Sequence, residues 1–425
     1  MVALVAAVLA LGLLSSLYAG GGRDSGGRTT ITVLYSGTLQ PGDDYETVVL
    51  PRLVEAQFPN VRLEVTKLPD DQYYTVLSAR LASGQAPDMF LVQPKNAGQN
   101  GVFALAEAGY LAPIDGLRII SLAGAGAEAF RHNGRVYSVP SGVAALGTYY
   151  NRNLFNQYGL QVPTTWDEFL NVCRVLKSNG VQPIVMGDRD SYVLQFGLYQ
   201  LAASVIYPTR PNFDDDLYTG RTRFTDPGTW DRVLTMYKTL YDNGYIDASV
   251  TLGLGNAQSI QQFIDGRAAM IFDGSFNAAS IRAQGGANFE RGYFPLPGNT
   301  AGQPLFAAVA PGGNLAISSR SRNIELCKQI LDWMFDGDSP AFRAMVNTAR
   351  GITTYGYGSD RVDPLFAPFM SLYNAGQASY WCNQAWPPGV NDEMQAQFSA
   401  MISGQNVTVA DITRAMQAKF NDLTR

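Results

Sequence analysis

TITVLY at 30–35 is β-branched and apolar, and it is followed by DYETVVLPRLVEAQF at 44–58, whose apolar residues recur at helical spacing. These read as a buried strand and an amphipathic helix, with Pro59 and Asn60 stopping the helix. VRLEVTKL at 61–68 alternates as a second strand, and DDQYYTVLSARLAS at 70–83 gives a second helix ended by Gly84. APDMFLVQ at 86–93 then turns into an apolar run. Strand, helix, strand, helix, strand predicts a mostly parallel sheet covered by helices on both faces, with ligands at the carboxyl ends of the strands.

The same grammar continues. VYSVPSG at 136–142 and LGTYYN at 146–151 read as short strands around Pro140. PTTWDEFLNVCRVLKSNG at 163–180 reads as a helix capped by Thr164 or Thr165, with Asp167 and Glu168 at its positive end. VQPIVM at 181–186 is the next strand. DPGTWDRVLTMYKTLYDNG at 226–244 is a helix with Asp226 as cap and Pro227 in its first turn. Further helices are expected over 257–265, 321–335, 392–403 and 408–423, with a strand in GRAAMIFDGS before a loop. No repeat of 20–50 residues occurs.

The chain has 425 residues, which suits two lobes rather than one domain. Charged residues make up 16% and the net charge is −5, so nucleic acid is not an expected partner. A single His, His132, cannot build a His-rich metal site, and Cys173, Cys327 and Cys382 form no CxxC. No GxSxG, HExxH or Walker motif is present, so neither a catalytic set nor a cofactor is expected. Residues 2–14, VALVAAVLALGLL, are short for a membrane span and right for the core of an export signal. Residues 1–28 thus read as a signal peptide plus tether, or as an uncleaved anchor. Gly20 stands where a lipidated Cys would be in a lipoprotein box, so lipid attachment there is ruled out.

Four stretches together resemble one family. They are LSARLASGQAPDMFLVQ at 77–93, NGRVYSVPSGVAALGTYYNRNLFNQYGLQVPTTWDEFL at 133–170, FIDGRAAMIFDGSFN at 263–277 and GGNLAISSRSRNIELCKQILDWM at 312–334. In this order they are similar to the extracellular solute-binding proteins of bacterial ABC importers, in the maltose-binding-like, sugar-binding branch. The resemblance implies a type II periplasmic-binding-protein fold of two α/β lobes with an interlobe cleft and hinge. Lobe one would hold 29–141 and 308–338, and lobe two 142–307 and 339–425. It further implies an extracytoplasmic monomer that captures a carbohydrate and hands it to a separate ABC permease in the membrane.

A sugar offers hydroxyls on its rim and apolar C–H patches on its faces, so its site needs aromatic faces and paired polar groups. Phe276, after Asp273, Gly274 and Ser275, stands where the family's stacking Trp follows Gly, and Asn277 adjoins it. Tyr192 matches a ligand-facing Tyr, or packs as a helix residue under its loop. Gln93 and Asn96 follow the 86–93 strand, Ser36 and Thr38 end the first strand, and Gly313 opens the fourth stretch. Trp381 and Trp386 lie in the loop SYWCNQAWPPG, and Arg350 in NTARGITT. Val92 replaces an aromatic of the maltose-binding pattern and Ala144 stands near its ligand-binding Glu, so maltodextrin itself does not carry over. The alternatives are a secreted glycoside-active enzyme, which needs two carboxylates facing one bond, and the same binding fold with a glycerol phosphate, polyamine or peptide ligand.

Overall fold

A computed structural model describes residues 27–37, 44–95, 100–286, 289–347, 363–387 and 389–425. These divide into two compact units. One takes the described residues within Met1–Lys95, Gln99–Pro140 and Gly313–Met345; the other takes those within Ser141–Gly312 and Val346–Arg425.

The first unit is built on β1 (Thr29–Ser36), β2 (Val61–Leu68), β3 (Met89–Val92) and β4 (Leu111–Ala112), with a small hairpin of β5 (Arg131–His132) and β6 (Arg135–Val136). The second carries β7 (Val143–Asn151), β8 (Gln182–Val185), β9 (Ala268–Gly274), β10 (Arg291–Phe294) and β11 (Ala307–Pro311). β12 (Asn314–Ser318) returns to the first sheet and β13 (Ala378–Tyr380) completes the second. The sheet orders are β2-β1-β3-β12-β4 and β13-β11-β7-β9-β8, with β10 also on β7. β1 is parallel to β2 and β3, as the 30–93 pattern predicts, but β12 runs antiparallel to β3. The second sheet is mixed: β8–β9 and β11–β13 are parallel, while β7 is antiparallel to β9, β10 and β11.

Several expectations change. The helix over 44–58 is two pieces, a wide turn at Tyr45–Val49 and a regular helix at Leu50–Gln57. Pro51 supplies no N–H and its ring crowds the carbonyl four residues back, so the preceding turn opens. The two short strands around Pro140 are instead the two-residue β6 and the continuous nine-residue β7. Thr165 caps Trp166–Ser178 as expected, but Asp226 does not cap its helix. Gly228 at φ 77 turns the chain, the helix starts at Trp230, and Asp226 accepts from the Arg223 amide. The boundaries at 307/308 and 338/339 also move. β11 pairs with β7 through Pro311, so it belongs to the second unit. The Tyr45 hydroxyl donates to the Ala341 carbonyl, and residues 339–345 belong to the first.

Helices cover both faces of the second sheet because its strands are apolar on both sides. Met270 and Phe272 of β9 enter a core with Phe169, Tyr237 and Trp230, while Ile271 enters one with Tyr149, Tyr293 and Phe369. Cys173, Cys327 and Cys382 are buried free thiols. No helix among the described residues is long and apolar enough to cross a membrane.

Candidate functional site

β8 and β9 run parallel, so their carboxyl ends share one edge of the second sheet. Two of the candidate rings stand there. Tyr192 lies in the short turn Ser191–Val193 that follows β8 and is 45% exposed; Phe276 follows β9 and is 43% exposed. Such exposure is unusual for a chain whose other large rings are mostly inside. Phe196, buried between them, touches both edge-on, with centroids 5.8 Å from Tyr192 and 6.0 Å from Phe276. The Phe276 ring packs close against the backbone of Gly274. A Cβ there would fall 2.0 Å from a ring carbon, so only glycine permits this approach.

β13 is parallel to β11, which like β9 is antiparallel to β7, so β13 ends at the same edge. Trp381 is the next residue. Its amide donates to Val309, its ring is partly buried, and its indole N–H has no partner among the described residues. Three interstrand steps from β13 to β9 separate the two aromatic ends by roughly 14 Å. Between them lie the small residues Ser141, Gly142 and Gly312, whose backbones bond one another. The edge therefore carries aromatic residues at both ends and small residues at the ends of the two strands between them.

Trp386, in the same loop as Trp381, is a core residue and leaves the site. It is 1% exposed, packs edge-on against Phe224 and Trp230, and its indole N–H donates to Asp214 Oδ1 at 2.9 Å. Asn277 spends its amide on Asp273, donating to both carboxyl oxygens at 2.9 and 3.1 Å. In the first unit, Ser36 ends β1, and Gln93 follows β3, at the shared carboxyl edge of those strands. Gly313 lies beside Gln93: a Cβ on it would sit 2.9 Å from Gln93 Oε1. Thr38, Asn96 and Arg350 lie outside the described residues.

Two acids at the β8–β9 edge escape sequence reasoning because nothing in their spacing marks them. Burial pushes the Asp273 carboxyl up to about 7, against hydrogen bonds from the Gly274 amide, Asn277 and Asn256. Burial likewise pushes Asp188 up to about 6, against the Tyr241 hydroxyl, which donates to it at 3.0 Å. Both folded values exceed the ordinary aspartate value, so the native state holds protons that the unfolded chain has released. Stability from these two groups is therefore greatest in acid and is lost as pH rises from about 4 to about 7. The melting temperature should drop by several degrees between pH 5 and pH 8. In D273N the drop should shrink; an unchanged pH profile would exclude Asp273 as its source.

The family of bacterial extracellular solute-binding proteins matches residues 40–336. The chain belongs to that family. The multiple sugar-binding protein of Streptococcus mutans is 27% identical over 280 residues, which span 61% of this chain and 61% of that protein. Among solved structures, a chitin oligosaccharide binding protein aligns at TM-score 0.76 and 22% identity, over 93% of this chain and 99% of that one. The solute-binding protein RafE in complex with raffinose aligns at TM-score 0.75 and 20% identity, over 93% and 100%. At these identities the structural likeness is one of fold. The solute-binding protein has the maltose-binding-like architecture of two α/β units that the four sequence stretches implied. Its exposed rings sit at the carboxyl edge of a sheet, where open α/β folds bind ligands.

Proposed function

We propose that this solute-binding protein captures a sugar or oligosaccharide outside the cytoplasm, without reacting with it, and delivers it to the separate membrane permease of an ABC importer. The observation that carries the reading is the pair of exposed rings, Tyr192 and Phe276, held on Phe196 at one sheet edge with Trp381 at the other end. Flat apolar faces suit the C–H faces of pyranose rings. The roughly 14 Å between the aromatic ends favours an elongated ligand over a single ring. The names of the Streptococcus mutans relative and of the two structures agree in chemistry.

A thermal-shift screen over raffinose, chitin oligosaccharides, xylo-oligosaccharides and their monosaccharides tests it. A ligand of the folded state alone must raise the melting temperature, and the largest rise should come from an oligosaccharide that is recovered intact after prolonged incubation. No rise with any sugar, or protein-dependent product, would overturn the reading. With that sugar, Phe276→Ala should cost about 1–3 kcal/mol of affinity, as loss of an aromatic anchor does. The exposed ring contributes little to the core, so the melting temperature without sugar should hardly move. Unchanged affinity by calorimetry would show that Phe276 faces away from the ligand.

A further inference from the structure

Phe276 is presented by a single turn, Ser275–Asn277, and one buried carboxyl holds that turn together. Asp273 Oδ1 accepts from the Gly274 amide at 2.6 Å, and both of its oxygens accept from Asn277 Nδ2. The turn's other side is tied down by Ser275, whose hydroxyl accepts from the Ala145 amide at 3.0 Å. Because the Phe276 ring rests on the Gly274 backbone, any shift of the Gly274 peptide moves the ring.

The groups facing Asp273 are nearly all neutral. From β7, the Tyr149 hydroxyl donates to the Gly274 carbonyl; from β10, the Tyr293 hydroxyl donates to the Asp273 carbonyl. From the helix Asn256–Ile264, Asn256 reaches the carboxyl. Arg291 and Asp363 act on Tyr149 from beyond, and Arg282 acts on Arg291. Among the described residues no cation bonds the Asp273 carboxyl. Asn256 Oδ1 is also buried without a partner. Rotating that amide exchanges its NH2 and its oxygen, so Asn256 can donate to a carboxylate and accept from a carboxylic acid. The protonated acid in turn loses an acceptor for Asn277, because its O–H would face the Asn277 NH2. The pocket therefore accommodates two hydrogen-bond arrangements, one for each protonation state.

We propose that Asp273 is a positioning residue for Phe276: its buried carboxyl sets the Ser275–Asn277 turn, so the presentation of the ring changes when Asp273 gains or loses its proton. The proposal deepens the sugar-binding reading and rests on it for its consequence, a pH-dependent affinity. Its test needs no sugar, so its failure is separate from failure of that reading.

The protein carrying 4-fluorophenylalanine site-specifically at position 276 is titrated by 19F NMR from pH 5 to pH 9. The resonance should move with a midpoint at about pH 7. In D273N, which keeps the shape and cannot ionise, the movement should be absent; in D188N, on the neighbouring strand end, it should remain. A resonance that does not move in the wild-type background overturns the proposal even where a variant fails to fold. So does a transition that survives D273N, or one that D188N abolishes.

Discussion

Trp386→Ala should lower the unfolding free energy by about 3–5 kcal/mol, the range for deleting a buried large aromatic side chain. Trp386 packs on Phe224 at 5.0 Å, on Trp230 at 5.2 Å and on Tyr199 at 6.4 Å. Those neighbours belong to separate helices and loops that cannot all collapse into the vacated space. The substitution also removes the indole donor from Asp214, although the Tyr207 hydroxyl still donates to the other oxygen at 2.7 Å. Urea denaturation monitored by circular dichroism reads the loss directly. The folded fraction should keep its sugar-dependent thermal shift, because Tyr192, Phe276 and Trp381 are untouched. A stable variant that has lost sugar binding would return Trp386 to the site.

Lys67→Met should cost a similar amount, about 3–5 kcal/mol, because it breaks a buried ion cluster and leaves its anions behind. The Lys67 ammonium is inaccessible to solvent and donates to Asp44 Oδ2 at 2.7 Å and Glu46 Oε2 at 3.2 Å. Asp44 is committed elsewhere as well, accepting from the Thr47 amide and hydroxyl through Oδ1. Met matches the stem of Lys in volume, so packing persists and the cost is electrostatic. Two buried carboxylates that have lost the Lys67 ammonium gain stability by taking up protons, so the deficit should shrink toward acid and grow toward alkaline pH. Denaturation at pH 5 and pH 8 separates this from a packing defect. Equal deficits at both pH values would count against the electrostatic account.

Much of the candidate site was legible in residue types. Phe276 after Asp273, Gly274 and Ser275, and Tyr192 after the 181–186 strand, are aromatic residues in loops at strand ends, where ligand contacts are expected. Their convergence on Phe196 was not legible, since it depends on β8 and β9 pairing across a long stretch of intervening chain. Nor was the role of Asp273. A carboxyl that is fully inside and held by Asn277 and Asn256 has the same one-letter code as one in water.

The helix Leu194–Val205 shows a different limit. Almost every residue from Leu194 to Ser204 is buried, so it has no polar face and no amphipathic period to detect. Residues 136–151 were misread in extent as well: the strand before Pro140 is only the two-residue β6, and the one after it runs nine residues, from Val143 to Asn151.

Local chemistry decided what the chain alone could decide. Apolar patterning set the three strands of 30–93, Thr165 capped its helix, and four ordered stretches carried the family. Trp381 and Trp386 mark where that power ends. They share one loop and one residue type, yet one borders a sheet edge and the other fills a core. Which of them stays at the sheet edge is a matter of which neighbours arrive from distant parts of the chain. Those neighbours, Phe224, Trp230 and Asp214 around one ring and β11 beside the other, are brought there only by tertiary packing.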